Sequence, residues 1–280
     1  MFRKKALVFA MAFACTLVIT GGTPVTGAEP SGPGDLSVET IVTRANRVAY
    51  YQGRDGRAEV AMAIVDAQNR TRKRQFTILR RDDEPSQDFA GDQRFFVYFQ
   101  APPDVRDTVF MVWKHVAAGR SDDRWLYLPD LDLVKRIAAS DERSSFVGSH
   151  FFYEDVSGRN TAEDNHELLE VTDTYYVLDN TPKDPGLVEF AHYKMWIHRD
   201  SFLPVQTDYY DQRGEVYRRY KVEEVSKIQG YLTVTRSKMT DLRTGGHTTI
   251  TYRKVAYDVD LPKDIFTQRY LRKPPMEHIK

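Results

Sequence analysis

RWLYLPDLDLVKRIAASDERSSFVGSHFFYEDVSG, residues Arg124 to Gly158, decides the reading of this chain. Two short apolar runs, Trp125 to Leu128 and Leu131 to Ala138, are separated by Pro129 and Asp130, residue types that turn a chain. The start of the stretch therefore predicts a β-hairpin. A polar break at Ser140 to Arg143 follows, then Ser145 to Phe151, then an aromatic-acidic group, Phe152-Tyr153-Glu154-Asp155. Gly148 falls where a strand would otherwise continue, which predicts a bulge or a place where something approaches the backbone closely.

On both sides of this stretch the apolar residues recur at every second position, the period of a strand. Val60, Met62 and Ile64 alternate with smaller residues, and Phe76 and Ile78 share a face of the next run. Arg94 to Gln100 is apolar on both faces, and Val109, Met111 and Trp113 are in phase on the run after it. Phe95, Val97, Phe99, Met111 and Trp113 are thus expected on one apolar surface, in a register that a shift of one residue would invert. Beyond Gly158 seven further strand-like runs, linked by Pro- and Gly-containing turns, extend to Val259.

Helical spacing appears once at length. Ser37 can cap a helix from Val38 to Tyr51, with Ile41, Ala45, Val48 and Ala49 on one face. About a dozen strands and one long helix predict a mainly β fold: a strongly curved antiparallel sheet or incomplete β-barrel with an N-terminal helix and a short helical lid. Asp264 to Arg269 reads as a helical turn, and Lys273-Pro274-Pro275 as the start of a loose tail. No composition shift divides residues 29–280, which are expected to form a single domain.

Residues 1–28 have the parts of a secretory signal: Arg3, Lys4 and Lys5, an apolar run from Ala6 to Ile19, and small residues ending at Ala28. This predicts an exported, soluble protein with a disordered lead-in from Glu29 to Asp35. Cys15 is the only cysteine and lies inside that segment, so no disulfide and no thiol nucleophile are expected afterwards. A lipid anchor on Cys15 would need a better lipobox than Ala12-Phe13-Ala14. The chain carries 40 basic and 40 acidic residues, a balance that speaks against nucleic acid.

Catalytic patterns are missing. His192 and His198 would lie about 20 Å apart at ~3.3 Å per residue, too far to share a metal ion. His150, His166 and His247 fall in separate segments. Ser149 beside His150 belongs to no G-x-S-x-G elbow, and neighbours on a strand point to opposite faces. The same alternation would separate the carboxylates of Glu154 and Asp155, which are expected in salt bridges or hydrogen bonds. No phosphate loop or dinucleotide fingerprint occurs. The expectation is a protein that is not an enzyme and holds neither cofactor nor metal.

Fifteen Phe, sixteen Tyr and three Trp, 12% of the chain, remain to be explained. The order W-x-Y-L-P at Trp125 to Pro129, K-R-I at Lys135 to Ile137 and S-F-x-G-S-x-F-x-Y-E-D at Ser145 to Asp155 resembles the periplasmic lipoprotein-carrier-like proteins of the LolA/LolB-like fold, in the outer-membrane lipoprotein-sorting branch. His150 departs from the small acidic or polar residue expected at its place. The resemblance implies a carrier or chaperone that shelters acyl chains of a lipid or lipoprotein and moves them toward the outer membrane. It also implies a partner, an inner-membrane lipid exporter of the resistance-nodulation-division (RND/MMPL) type, and a monomeric carrier. Candidate lipid-binding residues are Phe95, Val97, Phe99, Met111 and Trp113 on the sheet, Ile41 and Val48 on the helix, and Phe146, Phe151 and Tyr153 in the decisive stretch. The helix and the 146–153 region would act as a lid. The competing reading is a non-catalytic envelope assembly protein that binds a protein partner through its sheet edge.

Overall fold

The computed structural model describes residues 36–83, 91–117 and 119–280. The expected signal segment with Cys15, the lead-in to Asp35 and the middle of the charged loop between residues 82 and 92 lie outside the described residues.

Helix α1 (Val38–Tyr50) begins where Ser37 accepts a hydrogen bond from the Thr40 backbone N–H at 3.2 Å, satisfying one of the donors that a helix start leaves unpaired. Then come β1 (Asp55–Val65), β2 (Thr71–Asp82), β3 (Gln93–Ala101), β4 (Val109–Lys114), β5 (Asp123–Leu128) and β6 (Leu133–Ile137). A short helix, α2 (Tyr153–Ser157), precedes β7 (Asp164–Val171), β8 (Tyr175–Pro182), β9 (His192–His198), β10 (Pro204–Tyr210), β11 (Val216–Ile228), β12 (Tyr231–Asp241) and β13 (His247–Tyr257). All thirteen strands belong to one antiparallel sheet, ordered β6-β5-β4-β3-β2-β1-β13-β12-β11-β10-β9-β8-β7. The mainly β, curved and unclosed sheet expected from the alternation is what forms, and the hairpin expected at Pro129 is β5–β6.

This order explains the stretch from Ser140 to Gly158. The chain starts mid-sheet, winds out to the edge strand β6, and must restart at the opposite edge strand β7. The connection runs inside the curve. Phe146 packs on Phe76 and Phe110, the His150 N–H donates to Thr248 on β13, and Arg159 reaches Asp164 at the start of β7. Gly148 takes φ +75, as a glycine should where a turn needs a left-handed backbone. No backbone crowds it, since an added β-carbon would meet only the Arg72 side chain, at 3.5 Å. The expected bulge or close approach is therefore a turn.

The two faces of β3 and β4 bury different partners. Phe95, Val97 and Phe99 share the inner face with Phe110 and Val112, against Phe146 and Tyr153. Phe96 and Tyr98 share the outer face with Met111, Trp113 and Trp125. The common surface expected for Phe95 and Met111 is therefore corrected. Phe95 stands opposite Val112 and Phe96 opposite Met111, so Met111 and Trp113 point away from Phe95. Period alone cannot assign a face when both faces are apolar.

What covers the outer face is the C-terminus. Leu261, Ile265, Phe266, Leu271 and Ile279 are each buried there, and the Trp113 indole N–H donates to the Phe266 carbonyl at 2.7 Å. The expected loose tail is instead packed structure. Helices α3 (Arg269–Arg272) and α4 (Met276–Ile279) follow one another, and the Ile279 carbonyl accepts from Arg57 at 2.8 Å and from Thr77 at 3.2 Å.

Candidate functional site: an apolar chamber under the helix

Between α1, the inner face of the sheet and the 146–158 connection lies a chamber of about 380 Å³. Its roof is the face of α1 carrying Val42, Ala45, Val48 and Ala49, side chains at the spacing that places them along one stripe. Phe76, Phe95, Met239 and Ile250 line the floor from four strands, and Phe146 and Phe151 close one end. The helix is held at both ends by different means. Near its start Ile41 and Ala45 are buried against Tyr176, Leu178 and Ile197. At its end Arg80 donates to the carbonyls of Tyr50, Gln52 and Gly53 at 2.5, 2.7 and 2.8 Å, satisfying the oxygen that a helix end exposes and placing positive charge at the negative end of its dipole.

Of the residues expected around a cargo, Phe95, Val48, Phe146 and Phe151 line this chamber. Val97, Phe99 and Tyr153 belong to the apolar cluster behind the wall, and Ile41 anchors the helix rather than facing the space. Met111 and Trp113 lie on the outer face and take no part. Phe146 is 2% exposed, with its ring centroid 5.4 Å from Phe110, 5.5 Å from Tyr153, 5.8 Å from Phe99 and 6.2 Å from Phe76. It is a plug in an aromatic cluster.

Polar groups on the wall were not foreseen. Tyr50, Tyr209, Tyr220 and Tyr252 all line the chamber. Tyr220 and Tyr252 sit on strands whose alternation was legible, but nothing in a period distinguishes a phenol in a core from one facing open space. Glu154, expected on a strand, is on α2, whose first turn also carries Asp155. Glu154 accepts from Arg159 at 3.1 Å and from Arg143 at 3.5 Å, yet burial outweighs both and raises its carboxyl to about 7. Asp155 is bound by Arg218 and by the Phe152 N–H at 2.6 Å. These contacts agree with the expected salt-bridge role. Lys114, also buried, donates to the Ser157 carbonyl at 2.7 Å and lies 5.0 Å from the centre of the Tyr50 ring, and burial lowers its ammonium to about 8.

Among the described residues no group of three or more His, Cys, Asp or Glu side chains could hold a metal ion. His192 pairs with Asp179, His166 with Asn180, and His150 with Thr248. The arrangement offers enclosure by apolar walls with paired charges at the margin.

A family model described only as "uncharacterized protein" matches residues 91–273, about two thirds of the chain. No curated protein matches. A solved DUF1329 family protein from Desulfovibrio piger is 27% identical with a TM-score of 0.75, over 84% of this chain and 98% of that one. An outer membrane lipoprotein-sorting protein domain from Vibrio parahaemolyticus, so described, has 23% identity and a TM-score of 0.74, over 85% of this chain and 100% of that one. A LolA superfamily protein from Nitrosomonas europaea has 21% identity and a TM-score of 0.65, over 84% of this chain and 100% of that one. At these identities the last two establish the fold, which is LolA-like.

Proposed function

The chain belongs to the family whose model spans residues 91–273, and from that membership and its LolA-like fold we propose that it is a non-catalytic carrier of acyl chains. The observation that carries the reading is the chamber of about 380 Å³ beneath an amphipathic helix, within the roughly 300–1,000 Å³ usual for small-molecule sites. Each methylene removed from water is worth about 0.8 kcal/mol, so a single chain supplies the binding free energy without any catalytic group. The cargo is a lipid or lipoprotein, and α1 is the lid.

In this reading the protein works as a monomer in the periplasm, receives cargo from an inner-membrane exporter of the RND/MMPL type and delivers it toward the outer membrane. Among the described residues no helix is long and apolar enough to cross a membrane. Native mass spectrometry of the protein isolated from its source tests the proposal. Co-purifying lipid supports it; a bare chain that also fails to take up a fluorescent fatty acyl probe overturns it.

One feature favours the second reading, an assembly protein that pairs through a sheet edge. Both edge regions carry exposed apolar side chains, Leu131 and Leu133 at β6, Leu169 and Val171 at β7. A bare chain that captures an envelope protein, and loses it on Leu133→Lys, would favour that reading.

A further inference from the structure

We propose that the chamber takes a neutral amphiphile and that the phenols of Tyr50, Tyr209 and Tyr252 hold its uncharged ester or amide carbonyl oxygens. The inference rests on the carrier reading and narrows the class of cargo. Three elements bring the rings to one chamber: Tyr50 closes α1, Tyr209 stands on β10 and Tyr252 on β13, and all three line the space. None of the three hydroxyls has a hydrogen-bond partner among the described residues, in contrast to Tyr193, whose hydroxyl donates to Asp164 at 2.7 Å. Each of the three residues is half-buried.

A phenol in that position is a donor without an acceptor. An acyl chain filling the chamber would displace solvent from it, so a cargo of hydrocarbon alone would leave three desolvated donors, whereas a cargo with acceptor oxygens satisfies them. Burial above all pushes the three phenols well up from their ordinary value, so at neutral pH they remain un-ionised donors.

Charge on the wall argues for a neutral acceptor. The arginines there are engaged: Arg80 by three carbonyls, Arg57 by Glu59 and the Ile279 carbonyl, and Arg159 by Asp164, Glu154 and Glu163. Asp155 and Glu154 border the same space. A carboxylate or phosphate entering beside the phenols would meet two acidic side chains and no unengaged arginine; Lys114, 5.0 Å from the centre of the Tyr50 ring, does not line the chamber and donates to the Ser157 carbonyl. An ester or amide oxygen carries no charge to compensate, and accepts from a phenol readily.

Displacement of a fluorescent acyl probe by hexadecane, methyl palmitate and palmitate tests this at neutral pH, because the three share a chain length and differ at one end. Methyl palmitate should bind the wild-type protein more tightly than either of the others. Tyr209→Phe and Tyr252→Phe, which keep the ring and its packing, should each cut that advantage by about two- to tenfold, weakening the ester and not weakening hexadecane, which no longer strands a donor there. A preference for palmitate, or an advantage for the ester that both variants retain, would overturn the inference and leave the carrier reading standing. If none of the three displaces the probe, both fall.

Discussion

Gly158 lies flat against the ring of Tyr50: a β-carbon at Gly158 would stand 2.3 Å from the Tyr50 Cζ. Gly158 also has φ +76, so both the backbone and the neighbour require glycine. The contact joins the end of α1 to the end of α2, and it holds the phenol that faces the chamber. Gly158→Ala should destabilise the fold by about 2–4 kcal/mol, the sum of a strained φ and overpacking. Adding Tyr50→Ala should recover the overpacking part, and a double-mutant cycle in urea would measure it. Simple additivity would refute the contact.

Phe146 sets the depth of the chamber. Phe146→Ala should cost about 3–5 kcal/mol, the usual price of an aromatic ring lost from a core. It should also let acyl probes extend among Phe76, Phe99 and Phe110, moving the chain length of tightest binding upward. Titration with probes of graded length reads the shift, and an unchanged optimum would show that the space behind Phe146 collapses.

Phe95 and Trp113 separate the two faces of one region. Phe95→Ala removes chamber wall and should weaken probe binding by about tenfold or more. Trp113→Phe loses the hydrogen bond to Phe266 and loosens the C-terminal cover, so the melting temperature should fall while probe affinity holds. Equal losses of affinity in both variants would contradict the assignment of faces.

Ile41 anchors α1 and does not touch the chamber. Ile41→Asp places a charge among Tyr176, Leu178 and Ile197 and should speed both uptake and dissociation of a fluorescent acyl probe, as expected when a lid is loosened. Stopped-flow traces in which only dissociation changes would point to lost contact with cargo instead.

Glu154 links stability to pH. Burial raises its folded-state value from 4.5 to about 7, so the folded protein holds a proton that the unfolded chain releases earlier. Its contribution is fully present below about 4.5 and is lost as pH rises through about 7. Glu154→Gln should flatten this part of the stability profile. Arg143 keeps Glu142 and Glu189, and Arg159 keeps Asp164 and Glu163, so neither arginine is stranded. Denaturant midpoints between pH 5 and 8 test it, and the same slope in both proteins would exclude Glu154 as its source.

Local chemistry is what the amino-acid order determined by itself. Ser37 caps α1, Pro129 and Asp130 turn β5 into β6, and alternation marks the strands, because each depends only on neighbours in the chain. Tertiary structure alone decided which face is which. Met111 and Trp113 are in phase with one another, but only pairing with β3 sets them opposite Phe96 and Arg94 and away from Phe95. The buried C-terminal helices, the placement of Glu154 on α2 and the phenols around the chamber were hidden for the same reason. Their partners lie far off in sequence, and a periodic pattern records that a residue is apolar or polar without recording what will stand across from it.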